Sequence, residues 1–240
     1  MKLVYEGKSK KLYDLGGGEL LLEFKDEVTA FDGKYKDSAA EKGVLSARLS
    51  SRLFEVLEKG GVKTHYICYK GDRFIKVKAC KAVPLEVIVR SYAYGSLLKR
   101  MPLIERLKKL SKPMVEFHFK ADELHDPLLL EQDIVESGLL NQGGVARLKE
   151  TALRVNDILS SFWEERKLRL VDMKIEFGVG PAGNELLVID DISGDSMRVL
   201  TSEGRHLDKE TYRMKRDLNL LVEGYRKMAE AAGPPSVVCS

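Results

Sequence analysis

The chain has 240 residues, 44% of them apolar and 32% charged, the mixture of a folded protein with a sizeable core and not of a disordered or fibrous one. Forty basic residues against thirty-seven acidic ones leave +3, too even for a dedicated nucleic-acid binder, and no apolar run approaches the ~20 residues that cross a bilayer. Cys68, Cys80 and Cys239 are odd in number and far apart, which argues against zinc pairing or a disulfide framework and for a reducing, cytoplasmic setting.

Residues 1–13 lack the apolar core and cleavage site of a signal peptide. Residues 3–5 and 11–13 predict a hairpin about the polar turn Glu6-Gly7-Lys8-Ser9-Lys10, and a strand follows at 19–24 behind three glycines. Apolar spacing predicts a helix over 38–59, which Gly60-Gly61 ends. Strands at 64–69 and 73–79 complete a β-rich first lobe, residues 1–83. Pro84 marks a seam, and the β-branched run 85–92 enters a second lobe, residues 84–240. Residues 142–166 predict a long amphipathic helix, with Val145, Leu148, Ala152, Val155 and Leu159 along one face. Strands at 168–177 and 185–189 come next, joined by a Gly-Pro turn at 179–184. Residues 209–232 read as one terminal helix, and Gly233-Pro234-Pro235 releases a frayed tail. The fold class is α+β, in two lobes.

Three constellations carry chemistry. Lys8, Ser9, Lys10 and Lys11 surround a strand-connecting turn that can lay backbone N–H groups and ammonium charges against a triphosphate. The spacing is not that of a Walker loop, and from this segment alone a solvated basic hairpin stands at even odds. Asp172, Lys174 and Glu176 alternate, so they share one face of a strand, and the next strand ends in Asp190-Asp191 before Ser193-Gly194-Asp195. Paired strand ends of this kind bring Glu176 and Asp190 to one cation, and magnesium accepts a few carboxylates completed by phosphate oxygens and water. In the third, an apolar strand runs into Arg90 and then Tyr92, Tyr94, Gly95 and Ser96, where a guanidinium fork and a hydroxyl suit a phosphate or carboxylate. A plain salt bridge at Arg90 remains open. The loop around Asp32 and Lys34, and the lone His125, carry little weight.

Together these segments resemble the phosphoribosylaminoimidazole-succinocarboxamide synthase (SAICAR synthetase) family over essentially the whole chain. Its first signature is similar to residues 83–90 continuing through Gly95-Ser96-Leu97, and its second to residues 170–178. Residues 5–10, His125-Asp126-Pro127, Asp195 with Arg198, and Asp208-Lys209-Glu210 fall in the family's order. The resemblance implies a two-lobed, ATP-grasp-like fold. It implies an ATP- and Mg2+-dependent ligase that joins L-aspartate to 5-amino-1-(5-phosphoribosyl)imidazole-4-carboxylate through an acyl phosphate. Lys8, Ser9, Lys10 and Lys11 would face the phosphates, with Lys81 and Val83 at the adenine edge. Glu176 and Asp190 would hold magnesium, and Lys174 would face the reacting carboxylate. Arg90, Ser96 and Arg198 would take the nucleotide substrate's phosphate, and Asp195 its amino-imidazole. Asp32, Lys34 and His125 are candidates for aspartate, and a homodimer is the family's expectation. One departure is Ile192-Ser193-Gly194 after the acidic pair, where some members carry an aromatic residue and a proline.

Two rivals stand beside this reading. A kinase-like phosphotransferase would share the lid and a strand lysine (Lys76 or Lys78), but the chain has no H-R-D-x-x-x-x-N segment. A nucleotide sensor without activity would need no Lys174, Asp195 or Arg198.

Overall fold

A computed structural model describes residues 1–30, 34–181, 183 and 185–239. The candidate Asp32, and Ala182 and Asn184 of the predicted Gly-Pro turn, lie outside the described residues. Two sheets organise the rest. The first has five strands: β1 (Lys2–Glu6), β2 (Lys10–Gly16), β3 (Glu19–Phe24), β6 (Tyr66–Gly71) and β7 (Phe74–Lys78), in the order β1-β2-β3-β7-β6. The second contains β8 (Lys81–Tyr92), β9 (Lys109–Phe119), β10 (Leu128–Leu129), β11 (Leu168–Val179), β12 (Leu186–Ile189) and β13 (Met197–Thr201). A small hairpin, β4 (Glu27–Ala30) with β5 (Tyr35–Ser38), stands apart from both. The first sheet is complete by Lys78 and β8 starts at Lys81, so Pro84 falls inside a continuous strand.

The helices are α1 (Lys42–Lys59), α2 (Ser96–Arg100), α3 (Glu131–Glu136), α4 (Gln142–Glu164), α5 (Glu210–Lys215) and α6 (Leu218–Ala232). Helix α1 starts later than its apolar spacing suggests, because the Asp26 carboxylate accepts from the Gly43 N–H at 2.8 Å and fixes the first turn. A Cβ on Gly43 would stand 2.5 Å from the Phe24 carbonyl oxygen, so this close approach requires glycine. Helix α4 packs along β11, and Leu148, Ala152, Val155 and Leu159 join Val87, Met173, Ile175 and Phe177 in one buried core. The expected single helix over 209–232 is two. Arg216 turns left-handed at φ 57°, and Asp217 then caps α6 by accepting from the Leu220 N–H at 3.0 Å. Among the described residues no helix is long and apolar enough to cross a membrane.

The C-terminal tail is not frayed. The Tyr69 N–H donates to the Val237 carbonyl and the Cys239 N–H to the Tyr69 carbonyl, both at 2.9 Å, so the tail is bridged to β6 with Val238 opposite Tyr69. The buried Glu55 carboxylate accepts from the backbone N–H groups of Ser236 and Val237 and from the Ser236 hydroxyl. A Cys68–Cys239 disulfide closes the attachment, contrary to the sequence reading, in which odd number and wide spacing argue against a disulfide framework, and Cys80 alone is free. Residues 171 apart in sequence meet because the chain returns from α6 to the first sheet, which cysteine spacing does not reveal. We predict that Cys239→Ser lowers unfolding stability by about 2–4 kcal/mol. Urea titration of the parent under reducing conditions should reproduce that loss, and equal midpoints for all three samples would show that the bridge constrains nothing.

Candidate active site

The site originates in how β12 and β13 share one edge of β11. Strand β13 pairs with the first half of β11 (Asp172 opposite Arg198, Met173 opposite Met197), and β12 pairs with its second half (Glu176 opposite Ile189). Residues 190–196 must leave the edge between them, and the Lys174 N–H holds the return by donating to the Ser196 carbonyl at 2.7 Å. Asp190, Asp191 and Asp195 are thereby thrown out beside Lys174 and Glu176. The resulting cavity, about 1520 Å³, is lined from both sheets.

At its phosphate-like end lie Lys8, Ser9 and Lys10 of the β1–β2 turn. The Lys10 ammonium donates to Asp190 at 2.5 Å and to Asp191. Burial disfavours that charge, but the two carboxylates outweigh it and raise the Lys10 pKa above the ordinary lysine value. Asp190 itself adopts a left-handed φ of 68°, which turns its side chain off the line of β12. Lys8 reaches Asp122 at 2.7 Å. Lys11 departs from expectation: strand alternation puts it on the other face, 3.7 Å from Glu6 and outside the cavity lining.

In the middle, Lys174 pairs with Glu86 on the neighbouring strand and stands 3.7 Å from Glu176, which also receives Lys120. Here too burial is overcome, by Glu86, Glu176 and Asp190, and the Lys174 pKa is raised. Glu86 lies within the first signature segment but its sequence context gives it no role, and Lys120 has no signal at all. Cross-strand register is the signal for Glu86, which lies opposite Glu176.

At the far end, Arg90 is 2% exposed and almost fully engaged. It donates to Glu116 at 2.8 Å, to Asp172 at 2.7 Å and to the Ser96 hydroxyl at 2.7 Å. Arg198 donates to the same Asp172 at 2.8 Å. Burial opposes the Arg198 charge, and Asp172 with Glu210 outweighs it, so its pKa rises further. Gly95, at φ +61°, allows this approach, since a Cβ there would stand 3.1 Å from an Arg198 nitrogen. Arg90 therefore orients Ser96, and Arg90, Ser96 and Arg198 all line the cavity. Glu116 belongs to β9, an element the residue pattern did not announce.

Asp195 receives Lys42 at 2.5 Å, Lys209 at 3.2 Å and the Tyr225 hydroxyl at 3.2 Å. Burial raises its pKa, but Lys209 and Lys42 pull it well below the carboxylate range. Burial in turn lowers the Lys209 pKa despite Asp195. Lys42, 1% exposed at the start of α1, had no sequence signal.

The remaining end is apolar, walled by Leu22, Val77, Val83 and Ile189. Val83 faces it as expected, whereas Lys81 lies outside the lining. His65 closes this end from behind. Burial, then the Lys10 charge, pushes its pKa down to about 3, so the ring is neutral. Of the aspartate candidates, Lys34 stands 5.6 Å from the Tyr35 ring centroid, and His125 sits in a left-handed turn after residues 122–124. Neither lines the cavity.

A model of the SAICAR synthetase family matches residues 3–232. A phosphoribosylaminoimidazole-succinocarboxamide synthase of Caldivirga maquilingensis is 48% identical over 232 residues, 97% of this chain and 95% of its own length. One from Pyrobaculum calidifontis is 49% identical over 96% of this chain and 94% of its own. Among solved structures, a SAICAR synthetase in complex with ADP superposes with a TM-score of 0.91 at 37% identity, covering 98% of this chain and all of its own. The Ehrlichia chaffeensis synthase gives 0.92 at 35% identity, covering 96% and 98%.

The depressed pKa of Asp195 generates a pH prediction. Its folded value lies below the unfolded one, so its stabilisation is complete above about pH 5 and is lost as pH falls through the folded value. Asp195→Asn should cost about 2–4 kcal/mol at pH 7 and flatten the acid limb of the stability profile. Parallel acid limbs for parent and variant in urea titrations would remove Asp195 as a source of that dependence.

Proposed function

Because the chain belongs to the SAICAR synthetase family, we propose that the cavity between its sheets is where that family's ligation takes place. The reaction is ATP-dependent joining of L-aspartate to 5-amino-1-(5-phosphoribosyl)imidazole-4-carboxylate, giving SAICAR, ADP and phosphate in purine biosynthesis. The observation that carries the site assignment is a single cavity with a lysine turn and an apolar slot at one side, Ser96 and Arg198 at the other, and Lys174 between.

In this reading adenine occupies the slot of Leu22, Val77, Val83 and Ile189, and the triphosphate lies under Lys8, Ser9 and Lys10. The imidazole nucleotide's phosphate meets Ser96 and Arg198, with Arg90 bracing both through Asp172 and its own bond to Ser96. Asp195 and Lys209 face the amino-imidazole. Lys36 and Arg213, which also line the cavity, supply cations for aspartate's two carboxylates.

Magnesium fits the residues present. Glu176 and Asp190 each hold a lysine ammonium, so both carboxylates already serve a cation, and no cluster of three or more potential ligands occurs among the described residues. That donor set suits an ion completed by phosphate oxygens and water, not one in an all-protein cage. Glu176 and Asp190 would hold it, and it would neutralise charge on the transferring phosphoryl group.

A carboxylate is a poor electrophile because its leaving group would be oxide. One of its oxygens attacks the γ-phosphorus of ATP, ADP leaves, and an acyl phosphate results. The neutral aspartate amine then attacks the acyl carbon, phosphate departs with the former carboxylate oxygen, and the nitrogen loses a proton. Lys174, held charged by Glu86, sits where negative charge accumulates in both steps. Two lobes dividing near residues 79–84 clamp the substrates in line. The setting we place this in is a cytoplasmic homodimer; an intracellular disulfide has precedent in hyperthermophilic archaea.

Phosphate release from ATP is expected only when the imidazole carboxylate and aspartate are both present. ADP formation with a protein acceptor instead would overturn the assignment. Glu176→Gln should lower turnover by two or more orders of magnitude while its unfolding free energy stays within about 1 kcal/mol of the parent. Undiminished turnover would take Glu176 out of the site.

A further inference from the structure

The β4–β5 hairpin belongs to neither large sheet, yet its two faces have different neighbours. Thr29 and Lys36 lie opposite each other in its register, and both line the cavity. Alternation turns Val28, Ala30, Tyr35 and Asp37 the other way. On that side Val28 and Ala30 are buried with Tyr212, Leu221 and Tyr225 of α5 and α6. The hairpin is therefore held from behind by the last two helices and meets the cavity with its front.

The fastening is specific. The Tyr212 hydroxyl donates to the Asp37 carboxylate, and the Arg216 guanidinium stands 3.5 Å from the same carboxylate. Arg216 also lies over the Tyr35 ring, 3.6 Å from its centroid, and 4.7 Å from that of Tyr212. Lys34 comes no closer to the Tyr35 centroid than 5.6 Å. Arg216 occupies the left-handed break between α5 and α6, so one residue joins the helix junction to the hairpin. Earlier on α5, Arg213 lines the cavity with its guanidinium 3.0 Å from Glu210. Lys36, by contrast, has no ion-pair partner among the described residues. The attachment of its hairpin decides where its ammonium stands.

We propose that Arg216 is a positioning residue for the aspartate subsite, its contacts with Tyr35 and Asp37 holding Lys36 at the spacing from Arg213 that a dicarboxylate bridges. The proposal rests on the assignment of Lys36 and Arg213 to aspartate. A loosened hairpin leaves the nucleotide ends of the cavity in place, because Lys10, Lys174 and Arg198 belong to strands of the two large sheets.

Steady-state kinetics of the full chain, varying each substrate in turn, test it. Arg216→Ala should raise the KM for aspartate about fivefold, with the KM values for ATP and the imidazole carboxylate within about twofold of the parent. Tyr35→Ala should match it, whereas Tyr35→Phe, which keeps a ring under the guanidinium, should behave as the parent does. The double variant R216A/Y35A should be no worse than either single one, since both remove the same contact. A parent-like KM for aspartate in a folded R216A protein overturns the proposal. An equal rise for all three substrates overturns it too, because that is the mark of a purely structural role. Should R216A fail to fold, Y35A decides by the same two criteria. Lys36→Met separates the two layers of inference and should raise the KM for aspartate at least as much. If K36M raises it and R216A does not, only the positioning role falls. A parent-like value in K36M refutes the placement of Lys36 at aspartate, and the proposal with it.

Discussion

Lys10, from the second strand of one sheet, has its ammonium buried between Asp190 and Asp191 at the end of a strand in the other. Neither side of this contact is stable alone. An unpaired buried ammonium, or the buried Asp191 carboxylate beside the half-buried Asp190, would cost several kcal/mol of desolvation. The pairing therefore ties the β1–β2 turn to the loop 190–196 and fixes the distance between the two walls of the cavity. In the proposed reading, phosphate oxygens would replace the carboxylates around Lys10 and a divalent cation would replace the ammonium beside Asp190, so neither charge would be left unmatched.

The same logic recurs at each station of the cavity. Lys174 is matched by Glu86, Glu176 by Lys120, Asp195 by Lys42 and Lys209, and Asp172 by two arginines. Buried pairs of this kind contribute little net stability compared with apolar packing. What they supply is position. Strands β8, β11 and β13 set Arg90, Asp172 and Arg198 side by side on three adjacent backbones, each side chain fixed by the next. Ser96 and Arg198 are thereby held as donors that need no reorganisation, which is the condition under which such groups contribute most to binding an anion.

Local chemistry was legible where the period of the backbone carries it. Alternation puts Asp172, Lys174 and Glu176 on one face, and that face is the cavity wall. The same alternation, applied to residues 10 and 11, separates Lys10 from Lys11, since neighbours in a strand point opposite ways, whereas Lys81 and Val83, two residues apart, share a face by that rule and their different places had no such signal. Long-range pairing was not legible. Glu86 acquires its role only from its register opposite Glu176, Glu116 from a strand with little alternation, and Lys42 from a helix start fixed by Asp26. The break at Arg216-Asp217 did carry a signal, an aspartate placed to cap a new helix, but apolar periodicity on both sides concealed it. The tail's attachment to β6 depends on residues 171 apart and has no local signature.

The proposed reaction makes one chemical demand: a carboxylate, whose leaving group would be oxide, must be phosphorylated before aspartate attacks. Transfer of 18O from the labelled imidazole carboxylate tests this directly. One labelled oxygen should appear in inorganic phosphate for each SAICAR formed. Phosphate free of label, with the displaced oxygen found in water instead, would contradict the acyl phosphate and the role of Lys174 with it.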